Sequence, residues 1–384
     1  MNAQSPAPLH ISLPTGELQL TLTQGAGRLD ELLGFGARAN AKRGFLFVSK
    51  ILAKHWPVKP AVMRAVHDEL AAQVPNLPGP IVFIAMAETG VGLGQGVFEA
   101  YKRLQPERAC LFVHSTRYPM EGRAVFEFAE THSHAPRQYL HLPTDDALQS
   151  LFRFARSLVL IDDEASTGNT FVNLARACRR YCPDLSHVHL ATAANFMSAA
   201  ARAECPAAFE LQVSMAALIE GQYEFTPNPI EVSAPAAQAA PCPQTCGAKA
   251  EFGRLGTERV LDVPHSLALQ LSTDLEPDAK ILVLGTGEFM HWPFLLGQCL
   301  EDLGHAVWVQ STTRSPILTW GAVQHSLTFK DNYGEGVPNY VYNLAPGLYD
   351  EILICHETPE NDALRELAER LGGRLVDGSC TPSR

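Results

Sequence analysis

Short apolar runs alternate with longer amphipathic stretches over most of the chain. Segments apolar at nearly every position are typical of strands buried on both faces. Between them, residues 97–104 and 170–181 have the spacing of helices that pack by one face. This alternation predicts an α/β fold, a parallel sheet with helices on both faces. The apolar runs lie at residues 81–85, 109–113, 158–161 and 187–191.

The chain begins with a different pattern. Residues 11–22 alternate between apolar and polar positions, with Thr15 and Gly16 in the middle, which predicts a β-hairpin. A further apolar strand is predicted at residues 45–48 and a helix at residues 61–74. These elements precede the first strand of the predicted parallel sheet.

A proline- and alanine-rich stretch, residues 227–250, interrupts the alternation and has the composition of a linker. Beyond it the strand and helix patterns resume. We therefore expect an N-terminal domain of residues 1–226 and a C-terminal domain of residues 251–384. The second set of strands is predicted at residues 280–284, 306–309 and 351–354, with helices at residues 294–303 and 363–371.

Charge and composition limit the classes of partner. The formal net charge is −11 and the basic residues form no concentrated run, so nucleic acid is not an expected partner. No apolar run approaches the ~18 residues of a membrane span, and the N-terminus lacks the features of a secretion signal. Nine cysteines without a framework fit reduced thiols. We expect a cytoplasmic protein that acts on small molecules and has no membrane contact.

The stretch LVLIDDEASTGNT, residues 158–170, carries the most specific chemistry. Asp162 and Asp163 follow an apolar strand, and ligands of open parallel sheets bind beyond such strand ends. The small residues after them form a tight loop into a helix, where backbone N–H groups and the helix N-terminus bind an anion such as phosphate. The candidate anion-binding residues are Ala165, Ser166, Thr167, Gly168, Asn169 and Thr170.

Carboxylates repel phosphate, so a ligand of this loop should carry hydroxyl groups one sugar ring away from its phosphate. 5-Phosphoribosyl 1-diphosphate (PRPP) has this arrangement, and residues 159–170 resemble the PRPP-binding fingerprint of the type I phosphoribosyltransferases. Glu164 and Ala165 occupy positions that usually hold larger apolar residues. Glu164 either adds a third carboxylate to the site or faces solvent.

The resemblance implies a second loop that holds pyrophosphate through backbone amides. It corresponds here to residues that follow the strand at 81–85. Their glycine spacing matches neither the dinucleotide fingerprint nor the P-loop, and a flexible turn is the alternative. The residues of this loop are Glu88, Thr89, Gly90, Val91 and Gly92.

Phosphoribosyltransferases also carry a mobile basic loop that closes over pyrophosphate, and Arg117 is the matching cation, with a bidentate fork for phosphate. Further on, Glu130, His132 and His134 are candidate proton acceptors for the nitrogen of an incoming base, although their alternation also fits an exposed edge strand. By similarity to the orotate enzymes, Lys50 is implied to touch the base and PRPP.

The C-terminal domain repeats the order of motifs. VWVQSTTRSP is similar to LFVHSTRYP, and YDEILICHETPEND stands where RSLVLIDDEASTGNT stands in the first domain. This order indicates a degenerate copy of the first unit, although α/β sequences also look alike by chance. His356 and Glu357 then occupy the place of the two aspartates.

The whole layout resembles the phosphoribosyltransferases of bacterial tellurium-resistance (stress-response) operons, whose C-terminal domain is named for a Thr-Arg-Ser-Pro (TRSP) motif. That motif is present at residues 313–316. The resemblance implies two α/β units: a type I phosphoribosyltransferase fold with a small hood, and a degenerate phosphoribosyltransferase-like domain. It also implies a homodimer and Mg²⁺ as cofactor, with Asp162 and Asp163 at the metal.

The implied function is transfer of the 5-phosphoribosyl group of PRPP to a base-like acceptor, which gives a nucleotide- or nucleoside-like product and pyrophosphate. The alternative is a PRPP-binding regulator without catalysis. For the C-terminal domain three roles stay open: binding the acceptor, acting on the product with Arg314 on a phosphate, or a structural cap.

Overall fold

The computed structural model describes residues 7–40, 43–118, 120, 124–129, 137–228, 248, 252–261 and 265–378. The strands of the N-terminal domain are β1 (Leu9–Leu13), β2 (Gly16–Gln24), β3 (Leu33–Ala37), β4 (Phe45–Ser49), β5 (Ile81–Ala85), β6 (Cys110–His114), β7 (Val125–Ala129), β8 (Arg137–His141), β9 (Ser157–Ala165), β10 (His187–Asn195) and β11 (Gln212–Pro227). Its helices are α1 (Leu29–Leu32), α2 (Pro60–Ala72), α3 (Gly90–Leu104), α4 (Asp146–Arg153), α5 (Asn169–Arg179) and α6 (Ala199–Phe209).

The main sheet of this domain has the strand order β1-β2-β11-β10-β9-β5-β6. The strands from β11 to β6 run parallel, and the predicted β1–β2 hairpin joins them through an antiparallel pairing with β11. The sixteen-residue strand β11 is an addition to the elements expected from the sequence. The predicted parallel sheet is confirmed.

Strand β5 illustrates why the parallel strands are apolar throughout. Its residues are fully buried, and successive side chains point to opposite faces. Ile81 and Phe83 join the core beneath α2 and α3, whereas Val82 and Ile84 join the core on the face of α4 and α5. Both faces therefore need apolar residues, and the alternation typical of a half-exposed strand is absent from β5.

Strand β9 is longer than the apolar run that predicted it. It continues through Asp162, Asp163 and Glu164 to Ala165, and this extension pairs with β10 only, because the pairing with β5 ends at Ile161. The acidic residues thus lie in the last residues of a strand rather than in the loop after it. Backbone pairing on one side fixes them, while the side of β5 is left open.

The C-terminal domain contains β12 (Lys280–Gly285), β13 (Ala306–Ser311), β14 (Ser326–Phe329), β15 (Asn339–Tyr342), β16 (Glu351–His356) and β17 (Arg374–Asp377). Its helices are α7 (His265–Asp274), α8 (His291–Asp302) and α9 (Asp362–Leu371). The sheet order β13-β12-β16-β17 repeats the order β6-β5-β9-β10 of the first domain. The hairpin β14–β15 likewise corresponds to the hairpin β7–β8.

The two domains share an apolar core and cover each other's sheet edges. Val58 exchanges two backbone hydrogen bonds with Val309 of the edge strand β13, at 2.9 and 2.8 Å. Thr257 does the same with Phe112 of the edge strand β6, at 2.8 Å each. Val58 also packs with Trp292 in the core of the C-terminal domain. The domains are therefore joined by backbone hydrogen bonds to each other's edge strands and by a common apolar core.

Candidate active site

A cavity of about 210 Å³ lies beyond the carboxyl ends of β5, β6 and β9, where both domains meet. Open parallel sheets bind ligands at this edge. Its wall is strongly charged, with four arginines and four acidic residues. The lining residues are Arg38, Arg43, Leu46, Ala87, Glu88, Thr89, Arg117, Asp162, Asp163, Glu164, Ala165, Ser166, Thr167, Gly168, Thr170, Phe171, Thr313, Arg314 and Ser315.

The paired aspartates form the floor of the cavity. The backbone N–H of Asp163 donates to Asp162 Oδ1 at 2.9 Å, which fixes the first carboxylate relative to the second. Burial raises the pKa of the Asp163 carboxyl. Gly90 approaches this floor closely, since a Cβ there would stand 3.1 Å from Asp162 Oδ1 and from the carbonyl oxygen of Ile161. The two predicted loops therefore converge on one site.

The predicted phosphate loop leads into the N-terminus of α5. Gly168 adopts a left-handed conformation (φ 76°), and a Cβ there would stand 2.8 Å from Met197 Cε, so the turn needs glycine. Thr167 and Thr170 present hydroxyl groups to the cavity beside the first N–H groups of the helix. Asn169, also predicted for this loop, is the first residue of α5 and lies outside the cavity lining.

The predicted pyrophosphate loop is shorter than expected because α3 begins at Gly90. Only Glu88 and Thr89 of the predicted residues line the cavity, whereas Val91 and Gly92 lie in the first turn of the helix. The positive end of α3 nevertheless faces the cavity, close to the positive end of α5. Two helix N-termini at one cavity suit a ligand with two separate anionic groups.

Glu88 lies between cations of both domains. It forms an ion pair with Lys54, and its Oε2 lies 4.0 Å from Arg314 Nε. Burial raises the pKa of Glu88, but Lys54 and Arg314 outweigh burial, and the pKa lies below its ordinary value. Lys54 also donates to the carbonyl oxygen of Gly287 at 2.8 Å, which ties this part of the wall to the C-terminal domain.

The C-terminal domain supplies the TRSP motif to the same wall. Thr313, Arg314 and Ser315 line the cavity together with Arg117 of the N-terminal domain. Arg314 forms an ion pair with Glu335, and its guanidinium carbon lies 5.7 Å from the ring centroid of Tyr118. Arg117 and Arg314, both predicted from the sequence, thus lie on one cavity although they belong to different domains.

Two arginines that the sequence reasoning missed come from the β3–β4 hairpin and its connection. Arg43 binds both carboxylate oxygens of Glu164 at 2.6 Å, so Glu164 lies in the cavity wall and not in solvent. Arg38 donates to Ser315 Oγ at 3.1 Å. Burial lowers the pKa of Arg38 to about 10, which leaves it charged at neutral pH. The signal in the sequence concerned Arg43, which belongs to a pair of basic residues directly before the strand GFLFV.

Of the remaining predicted residues, Lys50 lies outside the cavity lining. Lys50 donates to the carbonyl oxygen of Asp30 at 2.8 Å and lies 5.6 Å from the ring centroid of Trp56. Glu130, His132 and His134 fall outside the described residues.

The donor set suits Mg²⁺ shared with a substrate. Asp162 and Asp163 offer the hard carboxylate oxygens that Mg²⁺ prefers. Among the described residues, no group of three or more His, Cys, Asp or Glu side chains is placed to hold a metal ion. Mg²⁺ commonly binds through one or two carboxylates and completes its shell with water and phosphate oxygens, which fits this arrangement.

The sheet order, the aspartates at the end of β9 and the two helix N-termini at one cavity are those of a type I phosphoribosyltransferase fold. Residues 32–222 match a family described as phosphoribosyl transferase, and residues 251–371 match the TRSP domain that follows it. The chain therefore belongs to the phosphoribosyltransferases that carry a C-terminal TRSP domain, and the predicted two-domain family is confirmed. No curated protein matches the sequence.

Solved structures with a similar fold are phosphoribosyltransferases of low sequence identity. Adenine phosphoribosyltransferase from Trypanosoma brucei is 12% identical, with 49% of this chain and 77% of that chain covered and a TM-score of 0.34. The Giardia lamblia enzyme, solved with 9-deazaadenine, is 16% identical, with 52% and 98% covered and a TM-score of 0.34. Orotate phosphoribosyltransferase from Francisella tularensis is 13% identical, with 49% and 77% covered and a TM-score of 0.30.

Proposed function

We propose that the protein transfers the 5-phosphoribosyl group of PRPP to a nitrogen of a base-like acceptor and releases pyrophosphate. The observation that carries this proposal is the position of Asp162 and Asp163. They line one cavity together with a helix N-terminus suited to one phosphate and with Arg117 and Arg314, which suit another. PRPP has the matching groups, with its ribose hydroxyls between its 5-phosphate and its pyrophosphate.

In the proposed reaction the acceptor nitrogen forms a bond to C1 of the ribose. The C1–O bond breaks, its electron pair passes to pyrophosphate, and the acceptor nitrogen loses its proton. The ribose becomes positively charged as this bond breaks, so the carboxylates of Asp162 and Asp163 stabilise it and accept hydrogen bonds from its hydroxyls. The N-terminus of α5, with Thr167 and Thr170, holds the 5-phosphate.

The leaving pyrophosphate gains negative charge in the same step. Arg117, Arg314 and the first N–H groups of α3 lie where they stabilise it. When bound by Asp162, Asp163 and substrate oxygens, Mg²⁺ supplies further neutralisation of the pyrophosphate. Glu130, His132 and His134 stay our candidates, from the sequence, for accepting the proton of the acceptor.

The proposed product is a nucleotide- or nucleoside-like metabolite, made in the cytoplasm without nucleic acid or a membrane as partner. Among the described helices, none is long and apolar enough to cross a membrane. The link to tellurium-resistance operons and a homodimer in solution remain predictions from the family resemblance.

Calorimetric titration of PRPP and Mg²⁺ into the full chain tests the proposal. We expect Mg²⁺-dependent binding that is weakened about tenfold in Asp163→Asn, because an amide oxygen is a poorer acceptor for the ribose hydroxyls and a poorer Mg²⁺ ligand than a carboxylate. Arg365→Ala, which removes only two exposed ion pairs, serves as the control. Absence of binding by the folded wild type would overturn the PRPP site itself.

A second measurement separates an enzyme from a PRPP-binding regulator. Pyrophosphate release is followed while panels of purine, pyrimidine and pyridine bases are offered with PRPP and Mg²⁺. Release that depends on one class of base and is lost in Asp163→Asn supports transfer. Tight PRPP binding with no release across the panels favours the regulator.

A further inference from the structure

The register of the strands places residues of the two domains in equivalent positions. Ala85 pairs with Ile161 in the first sheet, and Gly285 pairs with Cys355 in the second. Counting from these pairs, Glu288 stands where Glu88 stands. In the same way, Glu357 is the counterpart of Asp163. The pairs Ala85–His114 and Gly285–Ser311 likewise make Thr313 the counterpart of Thr116 and Arg314 that of Arg117. The C-terminal domain therefore has the outline of a ligand site of its own.

In the C-terminal domain this position is occupied by the side chain of Arg254. Arg254 donates from Nη1 and Nη2 to the two carboxylate oxygens of Glu357, at 2.7 and 2.8 Å. Its Nη2 also lies 3.1 Å from Glu288 Oε2. Arg254 is 1% exposed, and Glu357 also receives the hydroxyl of Tyr333 at 2.7 Å. A cation of the chain thus occupies the place where the first domain is open to a ligand.

Glu288 connects this filled site to the open one. Its Oε1 accepts the backbone N–H of Arg117 at 2.7 Å, and its Oε2 accepts the hydroxyl of Thr116 at 2.6 Å. A continuous set of buried charge-assisted hydrogen bonds therefore runs from Glu357 through Arg254 and Glu288 to Thr116 and Arg117. Such a buried set is rigid only when complete, because the loss of one member leaves an uncompensated charge.

We propose that Arg254 and Glu288 are positioning residues, which hold the Thr116–Arg117 segment in place for pyrophosphate, and that the C-terminal domain binds no PRPP of its own. This inference rests on the proposed function, since it assigns pyrophosphate to the Arg117 wall. In this arrangement the C-terminal domain completes the pyrophosphate site of the N-terminal domain. It contributes Arg314 directly to the cavity and places Arg117 through Glu288.

Ligand pairs that differ only in pyrophosphate give the test. Titrations of the full chain use PRPP with Mg²⁺ on one side and ribose 5-phosphate on the other. For Glu288→Gln we expect PRPP affinity to fall by about tenfold and ribose 5-phosphate affinity to change less than about twofold, because only pyrophosphate reaches the Arg117 segment. Glu360→Gln, an exposed glutamate paired with Arg365, is the matched control.

Thr116→Val is the second variant, in case the change of a buried charge prevents folding. It removes the hydroxyl that donates to Glu288 and that accepts from Arg254 Nε at 3.3 Å and from the Tyr118 N–H at 3.0 Å. Both ion pairs of Arg254 stay in place, so we expect the same selective loss on a smaller scale. The number of PRPP molecules bound per wild-type chain is a further measurement, and we expect one.

Equal losses for PRPP and ribose 5-phosphate in these variants, or unchanged PRPP affinity in a folded Glu288→Gln, would overturn the positioning role. Two PRPP molecules per chain would overturn the filled second site. A wild type that binds neither ligand would remove the proposed function and this inference with it, an outcome distinguishable from the others because the variants are not involved.

Discussion

Arg314 is the charged residue that the C-terminal domain contributes to the cavity lining, between Thr313 and Ser315. Its guanidinium lies against Tyr118, pairs with Glu335 and comes within 4.0 Å of Glu88. We expect Arg314→Ala to lower PRPP affinity by about 100-fold, and Arg314→Lys by about tenfold, because lysine keeps the charge but loses the planar fork. Calorimetry measures both, with ribose 5-phosphate as the ligand that should be indifferent to either change. Equal affinities for PRPP in all three proteins would exclude Arg314 from the pyrophosphate site.

The carboxyl of Glu335, paired with Arg314, predicts that ligand binding depends on pH. Burial raises the pKa of the Glu335 carboxyl to about 7, against the opposing charge of Arg314. Above this pKa the ionised carboxylate competes with pyrophosphate for Arg314. We therefore expect PRPP affinity to fall by roughly fivefold as the pH rises from about 6 to 8, with a flatter profile in Glu335→Gln.

The protonation of Glu335 on ligand binding can be measured directly as proton uptake. Binding of an anion beside Glu335 raises the pKa of this carboxyl further, so the wild type should take up protons on binding PRPP near pH 7. Calorimetry in buffers of different ionisation enthalpy reports this uptake. Titration of pyrophosphate itself is common to both proteins, so identical uptake by wild type and Glu335→Gln would contradict the role of Glu335.

The stability of the fold should respond to Glu335 in the same direction. Because the pKa of Glu335 is raised, the folded chain holds this proton more tightly than the unfolded chain does. The stabilisation is complete below the ordinary value of 4.5 and is lost as the pH rises through about 7.

At the scale of elements, the turn from β9 into α5 depends on Gly168. Alanine there would have to adopt φ 76° and would press on Met197. We expect Gly168→Ala to lower the free energy of unfolding by about 1–2 kcal/mol and to weaken ribose 5-phosphate binding markedly. Gly372→Ala is the control: its φ is 62°, with open space around it, so it should cost stability without affecting binding. Unaltered binding by Gly168→Ala would show that the loop tolerates a shift.

The elements that the sequence predicted well are those whose chemistry requires fixed residue types at fixed spacing. Asp162, Asp163 and the hydroxyl residues after them are of this kind, as is the apolar strand before them. The extent of β9 was not predictable in this way, because polar residues continue the strand where only β10 pairs with it. The same holds for α3, whose first two turns are helical although they contain four glycines. Two of these, Gly94 against Ala85 and Gly96 against His67, are packed too tightly for a larger side chain.

The part of the site that escaped prediction is assembled across long stretches of sequence. Arg38 and its hydrogen-bond partner Ser315 are 277 residues apart in the sequence, and Arg43 and Glu164 are 121 residues apart. No spacing rule connects such residues, because the fold alone brings the β3–β4 hairpin and the TRSP motif to the same cavity. The connection from Arg254 through Glu288 to Arg117 is equally invisible in the sequence, although Arg117 and Arg314 could be recognised by their motifs.

At the scale of the molecule, the shared core should make the two domains unfold together. Ala53, Val58 and Met63 of the N-terminal domain pack with Trp292 and Leu296 of the C-terminal domain, and each domain pairs with the edge strand of the other. We expect one calorimetric transition for the full chain, which PRPP with Mg²⁺ shifts as a whole to higher temperature. Two resolved transitions, of which the ligand shifts only one, would show that the domains are energetically separate.

The contribution of the TRSP motif to the cavity also has a consequence during synthesis of the chain on the ribosome. Chains fold from the N-terminus during synthesis, and the first sheet, which ends at Pro227, is translated before Arg254 and Arg314. At that stage Thr116 and Arg117 lack Glu288, and the cavity lacks one of its walls. On the proposed function, an unfinished or prematurely terminated chain would carry the aspartates and Arg117 but lack Arg314 and Glu288. Full affinity for PRPP is then expected only after the last third of the chain has been translated.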